Sequence, residues 1–140
     1  MRKDGALQVP GLVSIWAGRL SDEGALDDYV SFRYPPDGES WSPFTRDHGL
    51  GWVDEDQAEA AWFAGGAYSL AGHSYGGSFA AAADVDLARR FPEANSVYLV
   101  YDFDASAALV SGSALLAFLG AYPYCKQRAA LWLSAGPQQA

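Results

Sequence analysis

One segment carries nearly all of the net charge of this chain, and this constrains the fold more than any other feature of the sequence. Between Ser21 and Glu59 there are eleven Asp or Glu residues, opposed only by Arg33 and Arg46, so the segment has a net charge of −9. The whole chain carries −8, and the remaining residues therefore sum to about +1. Because charges of one sign at this density are not buried, we expect the segment to form one acidic face over an apolar core.

The composition limits the classes of partner and compartment. An acidic surface repels nucleic acid and anionic lipid, so neither nucleic acid nor a membrane is an expected partner, whereas a basic protein is attracted. Acidity that only keeps the protein soluble is the alternative. Cys125 is the single cysteine of the chain, which excludes an intrachain disulfide and fits a reducing compartment. With no signal peptide or membrane-spanning stretch in the sequence, we expect a cytoplasmic protein.

The order of local patterns predicts an α+β fold. The expected elements are a strand over residues 12–18, an acidic helix over 21–34 capped by Ser21, a short helix from Pro43 capped by Ser42, a third helix capped by Asp54 that carries residues 58–63, a long helix over 78–91, and paired strands over 96–103 and 114–122. These elements predict a small mixed or antiparallel sheet with helices packed on one face.

The length of 140 residues suits a single domain with a substantial core. We expect residues 1–11 to be a flexible N-terminal arm, with the domain occupying residues 12–140. An extension begins after about residue 125, and its apolar residues Leu131, Trp132 and Leu133 are expected to dock on the body of the domain. The sequence leaves both a monomer and a homodimer open, since an exposed edge strand could pair two copies but nothing in the sequence requires it.

A possible catalytic motif lies at Gly72-His73-Ser74-Tyr75-Gly76, which fits the G-x-S-x-G nucleophile elbow of α/β-hydrolases. Serine is a poor nucleophile until a histidine accepts its proton, and in that fold the histidine follows the serine along the chain. The two histidines here are His48 and His73, and neither follows Ser74. We therefore expect Ser74 to cap a helix and the protein not to be an enzyme.

Metal sites have equally little support in the sequence. His48, His73 and Cys125 are scattered, without the spacing of zinc ligands. The acids at Asp54, Asp56 and Glu59 only partly resemble a calcium loop, since the required glycine is missing. We expect neither a metal nor a cofactor, and a solvated acidic face accounts for these residues.

A set of short motifs, taken in order, resembles a known family. They are Val13-Ser14-Ile15-Trp16-Ala17-Gly18, Leu26-Asp27-Asp28-Tyr29-Val30, Ser42-Pro43-Phe44, Asp47-His48-Gly49-Leu50, Trp52 with Asp54, Asp56 and Glu59, Ser74-Tyr75 with Ser78-Phe79, residues 95–101, and residues 118–122. Together, over about residues 12–124, they are similar to the immunity protein 22 family of bacterial polymorphic toxin systems. Gly76-Gly77, the alanines at 80–83 and the tail after Cys125 depart from that pattern.

The resemblance implies a small non-catalytic protein that binds and neutralises a cognate toxin domain. An acidic inhibitor suits a basic toxin such as a nuclease, because it can imitate the phosphate backbone and associate quickly. The residues expected to bind the partner are Asp22, Glu23, Asp27, Asp28, Trp41, Trp52, Asp54, Asp56 and Glu59. Trp16 and Tyr29 are expected to be core residues, with a role as aromatic anchors as the alternative.

Two other functions remain open from the sequence. The same acidic face would serve an adaptor or regulator with a different basic partner. A small serine hydrolase using Ser74 is the third possibility. The sequence does not name the toxin or its chemistry.

Overall fold

The structure, a computed structural model, describes residues 8–51, 53–64, 68–106 and 114–125. The elements in chain order are β1 (Gln8–Gly18), α1 (Glu23–Val30), α2 (Pro43–Asp47), a 3-10 turn (Glu55–Gln57), β2 (Ala58–Trp62), a second 3-10 turn (Leu70–Gly72), α3 (Gly76–Arg90), β3 (Ser96–Phe103) and β4 (Ala117–Pro123). The described strands form one open antiparallel sheet in the order β2-β3-β1-β4. The predicted single-domain α+β class is confirmed.

The central strands β1 and β3 bury both faces of the sheet, and the helices divide between these faces. Because side chains alternate along a strand, Ile15 and Trp16 point in opposite directions. Ile15 joins a core that includes Phe79, Ala83 and Leu87 of α3. Trp16 joins a second core with α1 and α2. The prediction that helices pack on one face is therefore wrong in this detail, because the central strands are apolar on both sides.

The two helices on the Trp16 side begin at residues suited to capping. The carboxylate of Asp22, rather than the predicted Ser21, caps α1 by accepting the amide of Ala25 at 2.8 Å. Ser42 caps α2 as predicted, with Pro43 at the first helical position. The α1 helix ends at Val30, four residues earlier than predicted, and Arg33 continues as extended backbone that pairs with Trp41.

Two predictions about the sheet are wrong. Residues 58–62 form the edge strand β2 paired with β3, not a helix capped by Asp54; Asp54 caps only the preceding 3-10 turn. The helix-favouring alanines of this segment are overridden because the strand completes the hydrogen bonds of β3. The last strand, β4, was predicted to pair with β3, but it pairs with β1 instead. Both edges of β3 are already occupied, one by β2 and the other by β1.

The outer edge strand β4 contains a bulge and is contacted there by an arginine of α3. The pairing register shifts between Ile15 and Trp16, so that Leu119 is the additional residue of β4. The guanidinium of Arg90, at the end of α3, donates to the carbonyls of Leu119 at 2.6 Å and Phe118 at 3.3 Å. Helix α3 is thereby tied to the edge of the sheet.

Several predictions fall wholly or partly outside the described residues. Strand β1 begins at Gln8, so only residues 1–7 of the predicted arm lie outside the described part. Trp52 and the extension from residue 126 also lie outside it.

Candidate partner-binding surface

The exposed side of α1 carries four carboxylates. Leu26, Tyr29 and Val30 bury the inner side of this helix. The predicted binding residues Asp22, Glu23, Asp27 and Asp28 are all exposed on the remaining surface. Within the described part of the chain the ion pairs join His73 to Glu59 and Arg89 to Asp86, so none of these four carboxylates has a cationic partner there. Asp22 and Glu23 also lie at the positive end of the helix dipole.

The two arginines of the acidic segment are directed at Trp41 instead. The guanidinium carbon of Arg46 lies 3.7 Å from the centre of the Trp41 ring, and that of Arg33 lies 5.6 Å from it. Arg33 also donates to the carbonyls of Asp28 at 2.9 Å and Ser31 at 2.6 Å. These arginines therefore contact an aromatic ring and backbone carbonyl groups, and these contacts do not neutralise any carboxylate. Trp41 is thus half-buried beneath them.

The 3-10 turn at Glu55–Gln57 brings further acids beside the end of α1. Glu55 accepts hydrogen bonds from the amide of Phe32 at 3.3 Å and from the hydroxyl of Tyr34. The second bond raises the pKa of Tyr34. Asp54 accepts the amide of Asp56 at 3.0 Å, which fixes the turn. The structure therefore places the turn with Asp54 and Asp56 next to the segment that follows α1.

Glu59 does not lie with the other acids. It is paired with Leu99 in the sheet and points to the α3 face, whereas α1 and α2 cover the opposite face. Its carboxylate accepts His73 Nδ1 at 3.0 Å, the Ser74 amide at 3.2 Å, the Ser74 hydroxyl, and the Tyr101 hydroxyl at 3.1 Å. Burial raises the pKa of Glu59, but these hydrogen bonds outweigh it and hold that pKa below its ordinary value of 4.5. Glu59 thus anchors the loop before α3 to the sheet.

The elbow-like motif has no relay geometry. The Ser74 hydroxyl donates to Glu59. The Nδ1 atom of His73 also contacts Glu59, and its other ring nitrogen, Nε2, lies 2.7 Å from the Tyr68 hydroxyl. A histidine that activates serine must accept the proton of that serine, and this contact is not among the described hydrogen bonds. A 3-10 turn, rather than a strand, precedes the serine. The prediction that Ser74 caps a helix is also wrong. The N-cap residue of α3 is Tyr75, whose φ is +60° and whose side chain makes no capping hydrogen bond.

Trp16 and Tyr29 are core residues rather than surface anchors. Trp16 packs edge-on against Phe44, with ring centres 4.8 Å apart. Tyr29 is buried and donates its hydroxyl to Asp47 at 2.9 Å. Both side chains hold the helices of the acidic side against the sheet.

Tyr34 is a surface residue that the predicted helix over residues 21–34 did not indicate. Its side chain is 70% exposed, and it lies among Glu55 and the acids of the turn. The available signal was Pro35, because the residue before a proline is disfavoured in a helix. That rule would have placed Tyr34 outside the helix.

Two further observations concern other classes of site. The described residues contain no group of three or more His, Cys, Asp or Glu side chains placed to hold a metal ion. Among the same residues, no helix combines the length and apolar character needed to cross a bilayer.

The open antiparallel sheet with helices packed against it defines a small α+β protein. A model of the family described as Immunity protein 22 matches residues 13–124, which is most of the chain, and the chain belongs to that family. The resemblance inferred from the sequence is confirmed. No curated protein and no solved structure matches the chain. Membership indicates an inhibitor that neutralises a cognate toxin protein.

Proposed function

We propose that this protein is a cytoplasmic, non-catalytic immunity protein that neutralises a basic toxin domain through the surface formed by α1 and the Glu55–Gln57 turn. We call this surface the acidic face; its members are Asp22, Glu23, Asp27, Asp28, Trp41, Asp54, Glu55, Asp56 and Tyr34. The observation that carries the proposal is that the α1 carboxylates are exposed without a cationic partner in the described residues, while the neighbouring arginines contact Trp41.

Electrostatics and an exposed aromatic side chain support different steps of such an interaction. Uncompensated carboxylates on one face accelerate encounter with a basic partner. Tyr34 offers a large amphipathic ring within the same face, and tyrosines of this kind often dominate interface energy. The acidic face therefore combines a steering field with a possible anchor. An adaptor with another basic partner would use the same residues, whereas no described contact favours hydrolysis by Ser74.

The proposal is tested with the cognate toxin domain, identified by co-purification and used in an inactivated form. Association rates are measured over a range of salt concentrations for the unaltered protein and for Asp28→Lys. We expect Asp28→Lys to lower the association rate at low salt by about threefold to tenfold and to flatten its salt dependence. Co-expression of the unaltered protein should protect cells from the active toxin.

The matched control is Glu93→Lys, which changes the net charge by the same amount. Glu93 is exposed in the turn between α3 and β3, outside the acidic face. Glu93→Lys should leave the association rate within about twofold of that of the unaltered protein. Equal effects of the two substitutions would remove the acidic face from the mechanism, and failure to protect cells would remove the immunity function.

A further inference from the structure

The outward side of α3 is apolar over three turns. Between Gly77 and Ala88, the exposed positions are Gly77, Ala81, Ala82, Val85 and Ala88, none of which is charged. Val85 is 61% exposed. A helix whose outer side faces only water usually carries charged residues there. The composition of this side is that of a helix with a second packing partner.

A groove borders the same side of α3. It has a volume of about 490 Å³ and is lined mainly by apolar side chains, among them Phe63, Tyr68, Leu87, Ala88 and Phe91. Phe63 and Tyr68 form one wall, with their rings stacked 3.9 Å apart. Ala88 belongs to both the groove and the exposed side of the helix, so the two features form one continuous apolar surface.

We propose that this surface is a docking site for the chain's own residues 126–140, with Leu131, Trp132 and Leu133 as the contacting side chains. The segment starts in the right place. The amide of Cys125 donates to the Ser78 hydroxyl at 3.2 Å, at the first turn of α3. Ala88 lies ten residues after Ser78, which corresponds to about 15 Å of helix, and residues 126–131 can span about 20 Å when extended.

The chemistry of the segment suits the surface in two ways. Its apolar residues are consecutive and bulky, which matches a surface formed by small side chains on the helix and an apolar groove beside them. It carries Lys126 and Arg128 and no acid, so its net charge of +2 is opposite to that of the other residues, which sum to −10. Most of that negative charge lies on residues 21–59, so it favours folding back onto the body of the protein without selecting the α3 side. On the α3 side, Asp84 lines the groove and supplies a carboxylate that a basic residue of the segment can approach.

A thermodynamic cycle between the groove and the segment tests this inference. Ala88→Arg places a charge in the groove at an exposed helical position where arginine is otherwise well tolerated. We expect removal of residues 126–140 to lower the melting temperature by about 5 °C or more. Ala88→Arg should lower it by several degrees in the full chain but by less than about 1 °C in the shortened chain. Ala60→Arg, at an exposed alanine of β2, serves as the control and should have equal effects in both.

Cross-linking provides a second measurement that does not depend on stability. In a Cys125→Ser background, the pair Ala88→Cys and Leu131→Cys should form an intrachain disulfide at least about tenfold faster than the pair Ser31→Cys and Leu131→Cys, since Ser31 follows α1 on the other face. Additive melting shifts, or equal cross-linking rates, would overturn the inference. Disulfides mainly between molecules would assign the surface to a second copy. Loss of toxin binding in Ala88→Arg without any melting shift would assign it to the toxin.

Discussion

Replacing Glu59 with alanine should destabilise the protein far more than its position on a short edge strand suggests. The side chain of Glu59 is 30% exposed and that of His73 is 9% exposed. The carboxylate holds together β2, β3 and the loop before α3 through His73, Ser74 and Tyr101. Its removal leaves each of these donors without its carboxylate acceptor.

The expected magnitude follows from how well each donor can find another partner. His73 is nearly buried, and the loss of its charge-assisted bond is expected to cost about 2 kcal/mol. Tyr101 is also buried, but its hydroxyl lies 2.7 Å from the carbonyl of Ser74, so its loss is smaller. Ser74 is exposed and can bond to water. The total for Glu59→Ala is about 3 kcal/mol, which corresponds to a melting temperature about 10 °C lower for a chain of this length.

Urea unfolding at pH 7, followed by circular dichroism, measures this difference. Ser74→Ala is the matched control and should cost only about 1 kcal/mol, because one exposed donor is lost. The folded-state pKa of Glu59 lies below 4.5, so its contribution is complete above that pH and is lost as the pH falls through the folded-state pKa. The stability gap between the unaltered protein and Glu59→Ala should therefore narrow below pH 4.5. A cost under 1 kcal/mol at pH 7, or an equal cost for Ser74→Ala, would refute the reasoning.

Two further predictions concern the close packing at Gly18 and the burial of His48. A Cβ atom at Gly18 would lie 2.6 Å from the Leu115 carbonyl oxygen, so Gly18→Ala should cost about 2 kcal/mol by urea unfolding, and a neutral result would contradict this packing. Burial lowers the pKa of His48 below 6.5, and its Nε2 atom has no hydrogen-bond partner among the described residues. Protonation therefore favours the unfolded chain below pH 6.5, and His48→Leu should flatten the fall in stability between pH 6.5 and 5, while an unchanged pH profile would count against it.

The long apolar and alternating patterns of the sequence predicted the centre of the fold. The side chains of β3 alternate between the two faces of the sheet from Val97 to Tyr101: Val97, Leu99 and Tyr101 pack on one face, and Tyr98 and Val100 on the other. The alternation ends at Asp102, whose φ is +57°, and Phe103 packs in the same cluster as Tyr98 and Val100. Such a strand is determined by local pattern, since each residue has a defined side of the sheet. The long helix α3 was also predicted from a local pattern, in this case apolar residues at helical spacing.

The segment around β2 was mispredicted because its structure depends on a distant partner. Ala58–Trp62 has the propensity of a helix, and only pairing with β3 makes it a strand. The error also misplaced Glu59. Asp56 and Glu59 are three residues apart, so a helix would have put both on one side, whereas the strand sends Glu59 to the α3 face.

The exposed side of α1 could be predicted from the sequence, whereas its role in binding stays a prediction. An amphipathic helix fixes which side of α1 meets solvent, so Asp22, Glu23, Asp27 and Asp28 could be placed from sequence. The contacts of Arg33 and Arg46 with Trp41 could not, because they depend on how separate segments approach one another in space.

The position of Arg90 has a consequence for how this protein meets other chains. A terminal strand with open carbonyl groups is a template onto which a foreign strand can add. In β4 the Arg90 guanidinium holds two successive carbonyls at the bulge, so an incoming strand would have to displace a fixed charge and accept a broken register. Growth of the sheet on the β4 side is thereby discouraged. A second copy of the chain is therefore less able to add to this edge than to an edge strand whose carbonyl groups are open.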